Sequence, residues 1–356
     1  MNHLTKTVAA PAAGRSRRLS NMELLRIVAM LMVVAIHMCY YSFGTPTWTD
    51  VLLQGPIVVG RMAVQSFTAV CVDVFVLLSG YFGIRASGRR LAGLVFQVLL
   101  LTMAVILGYM SFTDGPYSSG RWLLDASILG GWFVRAYVML YVLSPILNAF
   151  VEKATPRQLG RVTLILLLLV ILWGWLMRVE FSGGFSDLFF VVLYLVGRCV
   201  KLCPSRLFRL RGSAYVLIYV ACSLLTLGTS LLGMRLHLRW AEAPSYESPF
   251  TIVAAVALLL AFARVPFHNR WVNRVAASSF AVYLLHACTP FLSLTLKPLV
   301  TGFWQPDAVG LFVVKCVAFA VGLFAACVLI DQVRLALWRR ISGWWWPADS
   351  RRSSGA

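Results

Sequence analysis

"RIVAMLMVVAIH", residues 26–37, lies inside an apolar run covering 22–43 and carries an arginine at one end and a histidine at the other. A helix needs about 20 apolar residues to cross the hydrocarbon of a bilayer, and this run has that length. Arg26 and His37 are both costly groups there. Ionisable side chains within a span face the bundle interior or a watery cavity rather than lipid. Eleven positions at roughly 100° each bring the two within about 20° of one face, and the rise of about 1.5 Å per residue separates them by roughly 16 Å. One face of the helix therefore offers a cation near its start and a titratable base beyond the midplane. Glu23, one turn below Arg26, is the expected ion-pair partner.

Nine further runs repeat the pattern, near 62–84, 91–112, 127–150, 160–178, 185–203, 213–234, 248–265, 277–298 and 309–333. The chain has 356 residues, of which 60% are hydrophobic and 13% charged. So few charges cannot cover that much apolar surface in water. The expected fold is all-α, a polytopic membrane protein of about ten transmembrane helices. Pro145 and Pro290 fall within the fourth and ninth runs and predict kinks or breaks there. The expected organisation is a basic N-terminal tail (1–20), one transmembrane domain (21–338) and a C-terminal tail (339–356), with no second soluble domain and no internal repeat.

The net charge of +19 raises nucleic acid as a partner. The basic residues argue against it, because they lie in short loops between apolar runs and form no single stripe. Of the 32 Lys and Arg, 23 fall at the N-terminus, after even-numbered runs or at the C-terminus, and 6 on the opposite side. That asymmetry predicts both termini in the cytoplasm. The expected location is the plasma (inner) membrane, with membrane lipid as an obligatory partner and with room for a homo-oligomer. The eight cysteines sit almost all within apolar runs and read as small buried side chains, not as a metal site. Trp344, Trp345 and Trp346, beside basic residues, read as an interfacial aromatic belt.

The ionisable residues within runs form a short set: Arg26, His37, Asp73, Arg135, His286 and Lys315. Depth counting puts Asp73 and His286 near the midplane and Arg135 some eight residues in from the outer end, while Lys315 lies close enough to an end to snorkel. A histidine, a carboxylate, a second histidine and an arginine converging in a dry bundle would form a reaction centre. Ser79 reads as a packing residue beside Gly80. The same pattern of central charges in broken helices also suits a transporter, and purely structural polar contacts suit a membrane scaffold.

Four stretches, in order along the chain, resemble the membrane acyltransferase-3 family. They are "RIVAMLMVVAIH" (26–37), with its arginine–ten residues–histidine spacing, "VDVFVLLSGYF" (72–82), "WFVRAYVMLYVLSPILN" (132–148) and "SSFAVYLLH" (278–286). The resemblance implies an O-acyltransferase, usually an O-acetyltransferase, that takes its acyl group from cytoplasmic acetyl-CoA without a metal. Its acceptor would be a hydroxyl of a surface or cell-wall glycan or of a lipid-linked glycan precursor. The family histidine falls on His37 and the family arginine on Arg26. The basic cluster linked to coenzyme A falls on Arg85, Arg89 and Arg90 of "GIRASGRR", spaced differently from the family's usual Arg-x-x-Arg. On this reading His37 is the general base or a transient acyl carrier. Asp73 orients its far nitrogen, and Arg135 or Tyr137 stabilises the oxyanion or holds the acceptor. His286 completes the catalytic set.

Overall fold

The computed structural model describes residues 19–112, 131–179, 181–305 and 308–345. Both expected tails beyond these limits, the segment 113–126 and the first residues of the run expected at 127–150 lie outside the described residues. Every regular element among the described residues is helical. In chain order they are α1 (Ser20–Phe43), α2 (Trp48–Thr68), α3 (Cys71–Phe82), α4 (Gly88–Phe112), α5 (Trp132–Lys153), α6 (Pro156–Leu176), α7 (Asp187–Leu202), α8 (Gly212–Leu236), α9 (Pro249–Ala263), α10 (Arg270–Ala276), α11 (Ser279–His286), α12 (Thr289–Phe303) and α13 (Val309–Trp345).

Among the described residues seven helical segments are long and apolar enough to cross a membrane, α2 and α3 together (Trp48–Phe82) counting as one, or eight if α10–α11 and α12, bent by 73°, count as one broken span. The runs expected at 185–203 and 248–265 are helices of only 16 and 15 residues. At about 1.5 Å per residue these reach roughly 22–24 Å, short of the ~30 Å of hydrocarbon. Their burial accounts for their apolar character. Phe189, Phe190, Leu193 and Tyr194 of α7 and Ala255 and Leu259 of α9 are almost inaccessible, as in helices enclosed by other helices. The expected second run, 62–84, joins two elements, α2 and α3, that meet at Ala69–Val70.

Small residues set the tightest contact. A Cβ on Gly80 of α3 would stand 2.2 Å from the Tyr194 carbonyl oxygen of α7, and one on Gly197 would stand 2.5 Å from the Leu77 oxygen. Only glycine at both positions lets these backbones meet. The two prolines behave differently. Between His286 and Thr289 the chain bends, with Pro290 opening the next helix. At Pro145, by contrast, α5 runs on unbroken. Proline strips the partner from the carbonyl four residues back, that of Tyr141, and the Ser144 hydroxyl donates to that oxygen at 2.7 Å.

Side-chain contacts gather the basic loops at one end of the bundle. Ser20 at the start of α1 bonds Asn273 at 2.9 Å and accepts from the Asn269 N–H at 2.9 Å. The Arg264 guanidinium donates to the Phe208 carbonyl at 2.8 Å, and Arg89 to Ser342 at 3.4 Å. This end, where α1 begins, is called the basic end below.

Candidate functional site

The His37 side chain lines a cavity of about 430 Å³ bounded by α1, the start of α3, α5, α11 and the loop before α9. The break between α2 and α3 opens it, since Ala69, Cys71, Val72 and Phe75 all reach its wall. Much of the wall is aromatic. Trp132 and Tyr246 stack at 5.9 Å, and Phe133 lies 5.2 Å from Tyr283.

His37 Nδ1 stands 3.1 Å from His286 Nε2, and His286 Nδ1 stands 2.6 Å from the Val282 carbonyl oxygen. These contacts fix the protons of two neutral rings. A carbonyl oxygen only accepts, so His286 Nδ1 carries hydrogen and its Nε2 is the lone pair. His37 must then donate from Nδ1, which leaves His37 Nε2 as the acceptor. Helix geometry supplies the chain, because Val282 lies one turn before His286 on α11. His286 itself is fully buried. An imidazole so held is oriented and keeps its basic nitrogen available, as the carboxylate-bound histidine of a triad does.

Of the four residues expected at the reaction centre, the structure brings His37 and His286 together and leaves Asp73 and Arg135 apart from them. Asp73 is fully buried in the first turn of α3, where the helix dipole favours an anion. Neither of its oxygens has a hydrogen-bond partner among the described residues, and His37 is oriented by His286 instead. Arg135 is exposed on α5 and is not part of the cavity wall. Tyr137 faces inward and pairs with Ser79 at 3.3 Å, while Ser79 also donates to the Phe75 carbonyl at 3.0 Å.

The far side of the cavity holds residues that sequence reading passed over. Arg178 lines it, in a left-handed backbone conformation (φ 51°) uncommon for a non-glycine residue. It lies two residues past the end of a π-helical turn, Val170–Leu176. Within that turn, Gly174 lies flat against the carboxylate of Glu247, so close that a Cβ would sit 2.6–2.8 Å from it. Glu247 is fully buried, and no side chain among the described residues hydrogen-bonds its oxygens. Burial pushes its carboxyl up to about 8, against the pull of the Gly184 backbone N–H, of Arg178 and of the Gly183 N–H. A signal existed: a glutamate immediately before the apolar run 248–265.

At the basic end, Arg26 pairs with Glu23 at 2.6 Å, as the spacing predicts, and stands 5.9 Å from the ring centre of Phe82. The "LSPILN" stretch holds the loop that carries Arg85. Asn148 donates to the Ile84 carbonyl at 2.8 Å and accepts from Tyr194 at 2.5 Å. The Tyr141 hydroxyl accepts from the Ser87 N–H at 2.9 Å. Arg90 turns back onto the Arg85 carbonyl at 2.9 Å. Arg89 and Arg90 line a groove separate from the histidine cavity, and neither Arg26 nor Arg85 is part of its wall. Among the described residues no three His, Cys, Asp or Glu side chains are grouped so as to hold a metal ion.

A family model described as an acyltransferase domain (Acyl_transf_3) matches residues 19–331. No curated protein and no solved structure matches the chain.

Proposed function

The chain belongs to the acyltransferase-3 family and is a membrane acyltransferase; from that premise we propose that it is an O-acetyltransferase. In this reading it moves the acetyl group of cytoplasmic acetyl-CoA to a hydroxyl of a surface or cell-wall glycan, or of its lipid-linked precursor. The basic end faces the cytoplasm, in keeping with the arginine asymmetry of the loops. The observation that carries the chemistry is the His37–His286 pair on the wall of a cavity large enough for a sugar ring.

His37 Nε2 removes the proton of the acceptor hydroxyl as its oxygen attacks the thioester carbonyl. The imidazolium so formed keeps donating from Nδ1 to His286, which spreads the charge over two rings. Collapse of the tetrahedral intermediate breaks the carbon–sulfur bond. His37 returns its proton to the departing thiolate, leaving an acetyl ester and free coenzyme A. A variant of this route has Nε2 attack the thioester first and pass the acyl group on. Among the residues that line the cavity, Arg178, Tyr246 and Tyr283 carry donors that could serve the oxyanion or the acceptor. Arg26, Arg85, Arg89 and Arg90 attract the polyanionic donor.

The test is His37→Ala protein in lipid nanodiscs, with thiol release from acetyl-CoA and acetylation of surface glycans followed by mass. Loss of both with an unchanged melting curve is the expected result. Transfer at the wild-type rate refutes the role of His37.

A further inference from the structure

Among the described residues, Arg178 is the one formally charged side chain on the wall of the histidine cavity; no aspartate or glutamate lines it. Its place in the bundle follows from α6. The Cys203 thiol donates to the carbonyl of Pro156, the first residue of α6, at 3.4 Å, which ties that start to the basic end, where Arg264 holds Phe208. α6 then runs for 21 residues, about 32 Å, or the full depth of the hydrocarbon. Arg178 therefore emerges at the end opposite the basic one. His37 lies in the last third of α1, whose first turn is at the basic end, so both residues belong to the same half of the bundle.

The backbone sets the arginine inward. Met177 and Val179, on either side of it, are exposed apolar residues, as lipid-facing positions are. A left-handed conformation at Arg178 puts the residue between them on the cavity wall. Such strained conformations in non-glycine residues collect at ligand clamps. Glu247 lies behind the wall, beneath Gly174, and its carboxylate faces the Gly183 and Gly184 N–H groups. Among the described residues Arg178 forms no ion pair. A cation on the wall of a low-dielectric cavity attracts an anion far more strongly than one in open water.

The same wall carries an aromatic shelf. Trp132 stacks on Tyr246 at 5.9 Å and 28°, and Phe185 meets Trp132 edge-on at 4.5 Å. The apolar C–H face of a pyranose ring suits such a surface. A guanidinium suits a carboxylate or a phosphate, which it holds through two parallel hydrogen bonds. We propose that the acceptor is an acidic saccharide, a sugar ring bearing a carboxylate or a phosphate, with its anion on Arg178 and its ring on Trp132 and Tyr246. This rests on reading the cavity as the acceptor's site. The anion takes no part in the transfer; it selects which hydroxyl-bearing ring reaches His37.

The experiment uses the full chain in nanodiscs, as wild type, Arg178→Gln and Arg178→Lys. Three probes are compared: methyl β-D-glucoside, methyl β-D-glucuronide and methyl β-D-glucoside 6-phosphate. Acetyl ester formation from acetyl-CoA gives kcat/KM for each, and saturation-transfer NMR without acetyl-CoA gives its affinity. The expected result is a preference of about tenfold for at least one charged ring over the neutral one, in both readouts. Whichever charged ring is preferred identifies the anion. The preference collapses in Arg178→Gln and survives in part in Arg178→Lys. Equal use of charged and neutral rings overturns the proposal, as does the absence of any preferential binding of a charged ring. So does a preference that persists in Arg178→Gln. If rates on all rings then fall together, Arg178 serves the oxyanion; if only the melting temperature falls, it merely closes the end of α6. Binding of a charged ring that depends on Arg178, with no ester formed from acetyl-CoA on any probe, leaves the anion site standing and removes the reading of the activity.

Discussion

His37 Nδ1 and His286 Nε2 meet at 3.1 Å although 249 positions separate them in sequence. The contact couples the first helix of the bundle to α11 and puts a second imidazole where other bases keep a carboxylate. An imidazole accepts the Nδ1 proton without bringing a fixed negative charge into an apolar bundle, where a charge is far costlier than a neutral ring.

His286→Ala leaves His37 free to rotate and to adopt the other tautomer. The expected outcome is a fall in kcat of about 10²–10³, within the usual contribution of a positioned base, with the KM for acetyl-CoA unchanged. Asp73→Asn spares the two-ring chain, and its effect on kcat is expected to be far smaller. Steady-state thiol release measures both. A larger loss for Asp73→Asn than for His286→Ala contradicts the assignment.

Ser144 supplies the hydrogen that Pro145 withholds from Tyr141, and Asn148 holds the Ile84 carbonyl. Ser144→Ala strands one buried carbonyl, at a cost of about 1–3 kcal/mol, and lowers the melting temperature. Asn148→Leu releases the 83–87 loop and raises the KM for acetyl-CoA while kcat is retained. Equal melting curves for wild type and Ser144→Ala would discount the hydroxyl.

Gly80→Val is expected to prevent assembly of the α3–α7 pair. Its Cβ would fall 2.2 Å from the backbone oxygen of Tyr194, an atom with no rotamer to escape into. Overpacking alone costs about 1–3 kcal/mol where side chains can shift, and more here. Folded yield in detergent after size-exclusion chromatography reads it out. Gly88→Val, where a Cβ meets nothing within 4 Å, is the matched control and is expected to behave as wild type.

Periodicity made the helices legible, because an apolar run of the right length has few other uses. It could not say how long each helix is or how deeply it is enclosed: α7 and α9 are short helices, largely sheathed by other helices. The Arg26–Glu23 pair was legible because it is local. The His37–His286 pair is long-range, and a triad pattern suggested Asp73 as the orienting group when an imidazole on a distant helix fills that place. Arg135 carried no sign of which way it turns on α5. Arg178 looked like an ordinary basic residue at the end of a span; only the left-handed conformation after α6 sets it on the cavity wall.

The buried carboxylate at the far side of the cavity gives a pH dependence with a definite sign. Burial lifts Glu247 from its ordinary 4.5 to about 8. Between those values the folded chain holds a proton that the unfolded chain has lost, so stability falls as pH rises from about 4.5 and the full penalty is present above about 8. Glu247→Gln keeps the shape against Gly174 and has no charge to bury. Its melting temperature is therefore expected to exceed that of the wild type by a margin that is small at pH 5 and grows through pH 8.5. Thermal melts of both proteins at several pH values in that window measure the margin. Parallel curves would mean that Glu247 is ionised in the folded state throughout, compensated by Arg178, and that its carboxylate contributes a fixed negative charge at the far side of the cavity.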